Sequence, residues 1–532
     1  MPSTLEGQPS TVETELKLAA RASDLPAVRR ALETMAASSG NAPRASRTRL
    51  VSTYYDTPDQ ALARRGSTLR VRRARGKFVQ TVKSEGIAGE SNLARGEWED
   101  RVASETPDPR ATLTGAFLSP EIAAALQPVF RTEVSRLTIP LAPAPATQIE
   151  AAIDRGRIRD GNDTAPEPIS EVELELKSGQ PTALYDVALQ LLHVAPLRLE
   201  RRSKAERGYR LAARAQEPVK AVHAEPVALQ PGMTVEAVLR RVGRACLKHL
   251  LANEDAVLAG DPEGIHQMRV AVRRLRAVLS AFGPLLPIEQ RRWASNELRW
   301  FADILGESRN LDVFADELLR PARAALPDAS EFERLALAAE RRRRELQATV
   351  VRAVLSTHYT EALLALMRWF DGYEWCLADS VALQEPIEVL APVLIDRCLK
   401  QSEKRAKNFA DQSADKRHRL RIALKKLRYA AELFASLYDA GAAKQFVQRL
   451  KRLQDDLGDA NDVRVARDIV EGLAPPGKRS TGKRSTGIAH AGKRMLAWHK
   501  HRIEKNEPEL RHHLKELLDA APFWQPTSPL SA

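Results

Sequence analysis

Aromatic residues make up only 5% of this 532-residue chain, which leaves few stacking platforms for single-stranded nucleic acid. Its three cysteines, Cys246, Cys376 and Cys398, form no Cys-x-x-Cys pair and are odd in number, so neither a zinc site nor a disulfide framework is expected and buried free thiols are. No apolar run reaches the length needed to cross a bilayer, and Met1 to Thr11 lacks the basic and apolar pattern of a secretory signal. A cytoplasmic location without a membrane partner is the expectation. What the chain has in excess is positive charge, a formal +13. That favours a polyanionic partner without choosing among nucleic acid, anionic lipid and polyphosphate. At this length, with 43% hydrophobic residues, two or three domains are expected.

Composition shifts once. Residues 10–212 carry short alternating segments broken by Pro, Gly and Asn/Asp, among them Leu69 to Arg73, Phe78 to Lys83, Gly96 to Val102 and Ile169 to Lys177. Residues 213–231, with Pro218, Pro226 and Pro231, read as a linker. Residues 232–522 are a long Ala/Leu/Arg-rich helical pattern. They are interrupted at 475–488 by a nearly duplicated Gly-Lys-Arg-Ser-Thr run that reads as a flexible loop.

The strands of the first region share one peculiarity: the alternate residues that should be apolar and inward are charged. Glu13, Glu15 and Lys17 share a face in Val12 to Leu18, as do Arg70 with Arg72, Glu97 with Glu99, and Glu171 with Glu173 and Glu175. Burying them unpaired costs several kcal/mol per ion, so they must compensate one another or a ligand. A closed antiparallel barrel with an ionic lumen and an apolar outer wall packed by helices is the economical geometry. An open sheet with one wet side also fits. Carboxylates in such a lumen are suited to Mg²⁺ or Mn²⁺, and Arg and Lys to phosphate oxygens.

Taken in order, Glu13-x-Glu15-x-Lys17, Tyr55-Asp56-Thr57, Leu69-Arg70-Val71-Arg72, Gln80-Thr81-Val82-Lys83, Glu97-Trp98-Glu99, Arg136, Asp154-Arg155-Gly156, Glu171 to Glu175 and Ser203-Lys204-x-x-Arg207-Gly208 resemble the CYTH domain of the triphosphate tunnel metalloenzymes. The resemblance implies an eight-stranded tunnel that binds a triphosphate and a divalent cation. It places Glu13, Glu15, Glu173 and Glu175 on the metal side, and Lys17, Arg70, Arg72, Lys83, Arg136 and Lys204 toward phosphate. Glu97, Glu99 and Asp154 become lumen candidates shared among metal binding, water activation and structural pairing. As catalytic candidates the set is Glu13, Glu15, Lys17, Glu97, Glu99 and Asp154.

The helical region contains a repeat. His266-Gln267-Met268-Arg269 to Arg276 returns as His418-Arg419-Leu420-Arg421 to Arg428, an offset of 418 − 266 = 152, and Leu305-Gly306 returns as Leu457-Gly458 at the same offset. A duplicated helical unit follows. His266, Arg269, Arg273 and Arg276 fall within roughly an 80° arc of one helix, and His418, Arg421, Lys425 and Arg428 repeat it. Between His266 and Ser280 no acidic residue relieves this stripe, which points to anion binding rather than a solvated face. By contrast Arg341 to Arg344 is flanked by Glu340 and Glu345 and reads as a solvated helix.

These blocks, with the Leu-Gly segments at Leu305 to Val313 and Leu457 to Val465, resemble the CHAD domain. That resemblance implies two four-helix bundles binding inorganic polyphosphate through the two basic stripes, in a protein at times associated with polyphosphate granules. The expected architecture is therefore a multi-domain β plus α chain: a closed eight-stranded β-tunnel with outer helices, then an all-α duplicated pair of four-helix bundles. The activity this implies is metal-dependent hydrolysis of inorganic triphosphate to diphosphate and phosphate, with polyphosphate as second partner and no specific nucleic acid. The competing expectations are an organic triphosphate enzyme, such as a nucleoside or thiamine triphosphatase or an adenylyl cyclase, and a non-catalytic polyphosphate-binding protein.

Overall fold

A computed structural model describes residues 11–38, 45–84, 94–161, 165–213, 219–326, 329–372, 381–474 and 483–525, with the side chains of 11–13, 94–95, 329 and 483–486 outside the description. Cys376 and residues 475–482 of the expected loop thus lie outside the described residues.

The first half of the chain runs β1 (Thr11–Ala19), α1 (Leu25–Ser38), β2 (Ser46–Asp56), α2 (Ala61–Arg64), β3 (Ser67–Ala74), β4 (Lys77–Ser84), β5 (Ala94–Val102), α3 (Pro120–Ala125), β6 (Gln127–Ala144), β7 (Thr147–Asp160), β8 (Glu167–Ser178), α4 (Thr182–Leu192), β9 (Arg198–Leu199) and α5 (Lys204–Ala212). Then come only helices. They are α6 (Val235–Ala252), α7 (Glu254–Leu258), α8 (Pro262–Ala281), α9 (Ile288–Val313), α10 (Arg320–Ala325), α11 (Ala329–Val354), α12 (Thr357–Asp371), α13 (Val381–Gln384), α14 (Ile387–Ala406), α15 (Ala414–Phe434), α16 (Ala440–Leu473) and α17 (Lys483–Leu518). The chain divides into two compact units, residues 1–218 with 355–372, and residues 219–354 with 373–532.

In the first unit all strand pairs are antiparallel, in the order β5-β4-β3-β2-β6-β7-β8-β1-β9. β1 also pairs with β5 from Thr11 to Thr14, so the sheet curls back onto itself. The expectation of a fully closed eight-stranded tunnel needs correcting on two points. The sheet has nine strands, and its edges meet over only four residue pairs. Beyond Thr14 that edge of β1 meets the two-residue β9 instead. The outward faces are apolar: Leu69, Val71, Val82 and Trp98 form one core with Leu62 of α2 and Ile122 of α3. Leu18, Val172 and Leu174 are likewise fully buried. α12, drawn from the helical stretch of the sequence, packs on α4. There Tyr185 Oη donates to Asp371 (2.5 Å) and Arg368 Nε to Asp186 (2.5 Å).

In the second unit the duplication extends to whole helices. α6, α8 and α9 begin at residues 235, 262 and 288, and α14, α15 and α16 at 387, 414 and 440, each 152 later. α6, α8, α9 and α11 form one set and α14, α15, α16 and α17 the other. A shared core of Phe314, Phe332, Leu335, Ala466 and Met495 draws on both sets. The proline-rich segment read as a linker is held down where it is described: Val222 N donates to Asn253 (2.9 Å), and Leu229 N to Ser436 (2.9 Å). Of the loop expected over 475–488, the part from Lys483 onward is already α17.

Candidate functional site

Register explains which charges meet inside the sheet. Lys17 stands opposite Glu173 and Glu15 opposite Glu175 on the β1–β8 ladder. Asp154 of β7 stands opposite both Arg136 of β6 and Glu171 of β8, while Lys83 faces Glu97 and Thr81 faces Glu99 across β4–β5. Strand alternation then turns each pair to the same side. A cavity of about 350 Å³ is lined by Glu15, Lys17, Arg70, Arg72, Lys83, Glu97, Glu99, Arg136, Glu173, Glu175 and Lys204. One candidate is not brought there. Asp154 does not line the cavity and is fully buried, and the side chain of Glu13 lies outside the described residues.

Most of the cations already hold carboxylates. Lys17 Nζ lies 2.6 Å from Glu15 and 3.8 Å from Glu173. Arg136 donates to Asp154 from Nε (2.8 Å) and Nη2 (2.6 Å) and also to Glu173. Lys204 Nζ reaches Asp154 at 2.7 Å, Glu173 at 2.8 Å and Glu171 as well. Arg70 and Lys83 both lie 3.4 Å from Glu97. Burial opposes the charge on Lys17, Arg136 and Lys204, but their carboxylates outweigh it and all three are shifted upward. Burial likewise opposes ionisation of Glu173, yet Lys204, Arg136 and Lys17 hold it well below the usual carboxylate range. Glu171 goes the other way, raised by burial.

Arg72 is the exception. Among the described residues it makes no ion pair with a carboxylate, and its Nε donates only to Ser52 Oγ (3.3 Å). Burial, then Arg70 and Arg136, push it down to about 10. Arginine remains charged at neutral pH even so, and here it is a half-buried cation at a cavity wall that feels Glu173 without pairing to it.

Two carboxylate groups bear on cation binding. The oxygens of Asp154, Glu171 and Glu173 lie within 4.8 Å of one another, but the Lys204 ammonium is bonded to all three. The second is a row: Glu150, Glu175 and Glu15 occupy directly opposite positions on β7, β8 and β1, and all line the cavity. Like charges so placed repel, and an oxygen-only donor set suits a hard divalent cation. In donor type these residues suit such an ion, and Glu15 and Glu175 are at present paired with Lys17 and Lys177. The sequence-predicted set is thereby split, with Glu15 and Glu175 in the row and Glu173 in the Lys204 cluster.

One part of the lumen is filled. Tyr54 stacks on Phe130 at 4.4 Å, Tyr209 of α5 meets Phe130 edge-on at 5.2 Å, and Val134, Ile158, Ile169 and Ala205 complete this cluster. Gly208 is required by the close approach, since a Cβ there would lie 2.1 Å from the Phe130 ring. Asp56 fixes the helix from outside the cavity wall. It accepts from the backbone N–H of Thr57, Leu62 and Ala63 (2.8, 2.9 and 3.0 Å) and from Tyr209 Oη (2.9 Å). Sequence reasoning named Asp56 and Arg207 only within motifs, put Glu171 on the charged face without a role, and missed Glu150 and Tyr54 as wall residues. Glu150 was legible as Ile149-Glu150-Ala151 alternation, whereas nothing local marks Tyr54.

In the second unit, Arg269, Arg273, Arg421 and Lys425 converge. Burial lowers Arg269 to about 10, aided by Arg273, Arg309 and Arg421. Burial, Arg421, Arg273 and Arg269 lower Lys425 to about 7. Buried Nε atoms of Arg273, Arg421 and Arg428 have no hydrogen-bond partner. His266 is lowered by burial and by Arg309, and His418 Nδ1 bonds Asn461 Oδ1 at 2.9 Å. Arg309 is a residue the stripe argument missed, because it comes from α9. Asp462 faces Arg269 and Lys425 as a counter-charge. Arg276 is exposed and does not join the convergence.

Comparison with known proteins agrees with this division. Residues 12–209 match the CYTH domain and residues 241–471 the CHAD domain. An inorganic triphosphatase of Haemophilus influenzae is 35% identical over 164 residues, covering 30% of this chain and 46% of that protein. An uncharacterized protein of Mycobacterium tuberculosis is 31% identical over 233 residues, 42% of each chain. The chain thus spans less than half the length of these curated relatives. The crystal structure of the CHAD domain from the plant Ricinus communis is 27% identical, with a TM-score of 0.48, and covers 55% of this chain and 96% of that one. The protein is therefore a CYTH-domain chain continued by a CHAD domain.

Proposed function

We propose that the first unit hydrolyses inorganic triphosphate to diphosphate and phosphate with a divalent cation, and that the cationic face of the second binds inorganic polyphosphate. The observation that carries the reading is Arg72, a half-buried cation at the wall of an ionic cavity with no ion-paired carboxylate among the described residues. A phosphate oxygen supplies the missing charge. Arg70 and Lys83, which both lie 3.4 Å from Glu97, grip the chain beside it. Glu15, Glu175 and Glu150 would hold Mg²⁺ or Mn²⁺, which when bound neutralises phosphate oxygens and activates or orients water. Glu97 and Glu99 line the same cavity and are the groups placed to orient the attacking water. Its oxygen ends on the released orthophosphate as the terminal phosphoanhydride bond breaks. Asp154 acts as a positioning residue: it is sealed behind Arg136 and Lys204 and aims both.

Phosphate release from triphosphate, ATP and long polyphosphate, each with Mg²⁺, Mn²⁺ or chelator, tests the proposal. Metal-dependent release from triphosphate above the others is expected, with turnover abolished by chelator. Preference for ATP would shift the reading to an organic triphosphate enzyme, and no release from any substrate would leave the chain a binding protein. For the second unit, polyphosphate affinity should fall in Arg269→Ala and Arg421→Ala and decline steeply with salt.

A further inference from the structure

A further cavity borders the basic stripe and shares Arg273 and Arg428 with it. It lies in the second unit, measures about 950 Å³, and is walled by α6, α8, α14, α15 and α16 with the segment at residues 224–228. Its walls are aliphatic in the main: Val242, Val278, Leu394, Ala430, Ala443 and Val447 line it and are buried. Cations gather with them. Arg397, Lys426, Lys444 and Lys451 line the cavity and are exposed, Arg274 is half-buried, and the acidic residues of the lining are Glu225 and Glu432. On one side the guanidinium carbons of Arg273 and Arg428 stand 5.4 and 5.1 Å from the centre of the Tyr429 ring, each with a buried Nε that has no hydrogen-bond partner, that of Arg428 lying 4.0 Å from Glu432.

Polyphosphate is a poor occupant for this space. It carries charge along its whole length and no apolar surface, so aliphatic walls give it nothing and strip its hydration. The volume falls in the range of about 300–1,000 Å³ typical of pockets for organic ligands, which pair apolar walls with a few fixed polar groups. The cations are exposed and the aliphatic walls buried, so charge and apolar surface are arranged as an amphipathic anion is. We infer that the second unit carries an additional binding site for an aliphatic anion, an alkyl chain seated on Val242, Val278 and Leu394 with its phosphate or carboxylate head among Lys426, Arg397 and Arg274.

Decyl phosphate, decanoate and inorganic phosphate, titrated into the full chain by calorimetry below their aggregation limits, test this and separate phosphate from carboxylate heads. Saturable one-to-one binding of a decyl anion is expected, with inorganic phosphate at least about tenfold weaker because the alkyl burial is absent. Ala277→Phe, which fills a half-buried position in the lining, should weaken the decyl anion about tenfold or more while leaving long-polyphosphate affinity within about twofold. Lys426→Glu, on the exposed side, provides a second variant should Ala277→Phe fail to fold, and should weaken the decyl anion likewise. No decyl binding by the wild-type chain overturns the inference. So does competition in which polyphosphate displaces the decyl anion and Ala277→Phe weakens both equally, which would make the cavity part of the polyphosphate path.

Discussion

The lumen of the first unit and the convergent stripe of the second are both rich in half-buried cations, yet their ionisation is pushed in opposite directions. Lys17, Arg136 and Lys204 are shifted upward by carboxylates at hydrogen-bond distance. Arg269 and Lys425 are shifted downward by burial and by one another. The first arrangement stores its charge as closed pairs, so it is stable empty and can aim a few uncompensated groups at a ligand. The second is frustrated when empty and gains when a polyanion arrives. One is suited to precise placement, the other to retention.

Lys204 breaks this comparison most severely. Lys204→Met leaves Asp154, Glu171 and Glu173 buried without their ammonium, and removing one partner of a buried ion pair costs about 3–5 kcal/mol. Denaturant unfolding should show a loss of that order in the first unit. Lys425→Met removes a cation from among cations and should leave the second unit unchanged or more stable. Equal losses from the two variants would erase the distinction.

Arg72→Ala comes next, because Arg72 belongs to the lumen in position but to the stripe in its lack of a partner. Its loss should lower triphosphate turnover by about 10²–10³-fold, the range for removing one preorganised group from a site of developing charge. The unfolding midpoint should hardly move, since no carboxylate is orphaned. A stability loss as large as that of Lys204→Met would show that Arg72 is a structural group.

How far this contrast was readable in advance depends on the distance over which each contact forms. Glu-x-Glu-x-Lys at Glu15 and Lys17, and Glu173 with Glu175, disclosed their common face because strand alternation is local. The stripe on α8 and its copy on α15 did so through helical spacing. The opposition of Lys17 to Glu173 required register, which no single strand contains. The triple contact of Lys204 required more, because it depends on α5 being seated on Phe130 through Gly208 and pinned by Tyr209. Asp154 read as one more lumen carboxylate, and only packing shows it sealed behind Arg136. Four joined edge residues and a two-residue β9 distinguish the observed sheet from the closed barrel expected, a difference settled at a strand end where alternation carries no signal.

The pH response sharpens the comparison further. An unfolded lysine titrates near 10.5 and folded Lys425 near 7, so between those values the unfolded chain binds the extra proton. Stability of the second unit should therefore rise with pH across that window and be lowest below it. Polyphosphate must draw Lys425 into its charged form, so affinity should weaken as pH rises through about 7. Lys425→Arg should flatten both slopes. In the lumen the sign is the same but the window is acid: Glu173 lies below its unfolded value, so its contribution is complete above the ordinary carboxylate range and is lost as pH falls through the depressed value. Affinity independent of pH in the wild-type chain would remove Lys425 from the stripe's electrostatics.

The smallest effect lies in two helix caps. Ser203 Oγ accepts from Glu206 N (3.1 Å) while Ser203 N donates to Glu206 (2.6 Å), opening α5 just before Lys204. Ser413 caps α15 at Lys416 N more loosely, at 3.4 Å. Removing such a cap costs about 1 kcal/mol. In Ser203→Ala the full cost should appear, because the ion pairs of Lys204 and Arg207 gain nothing from a loosened helix. Turnover should stay within about twofold, since Gly208 against Phe130 and Tyr209 on Asp56 still hold α5 in place. In Ser413→Ala part of the cost should be returned, because a looser first turn lets Arg421 and Lys425 draw away from Arg269 and Arg273. The second loss should therefore be the smaller of the two in denaturant unfolding, and that difference should shrink once polyphosphate is added and the stripe is no longer frustrated.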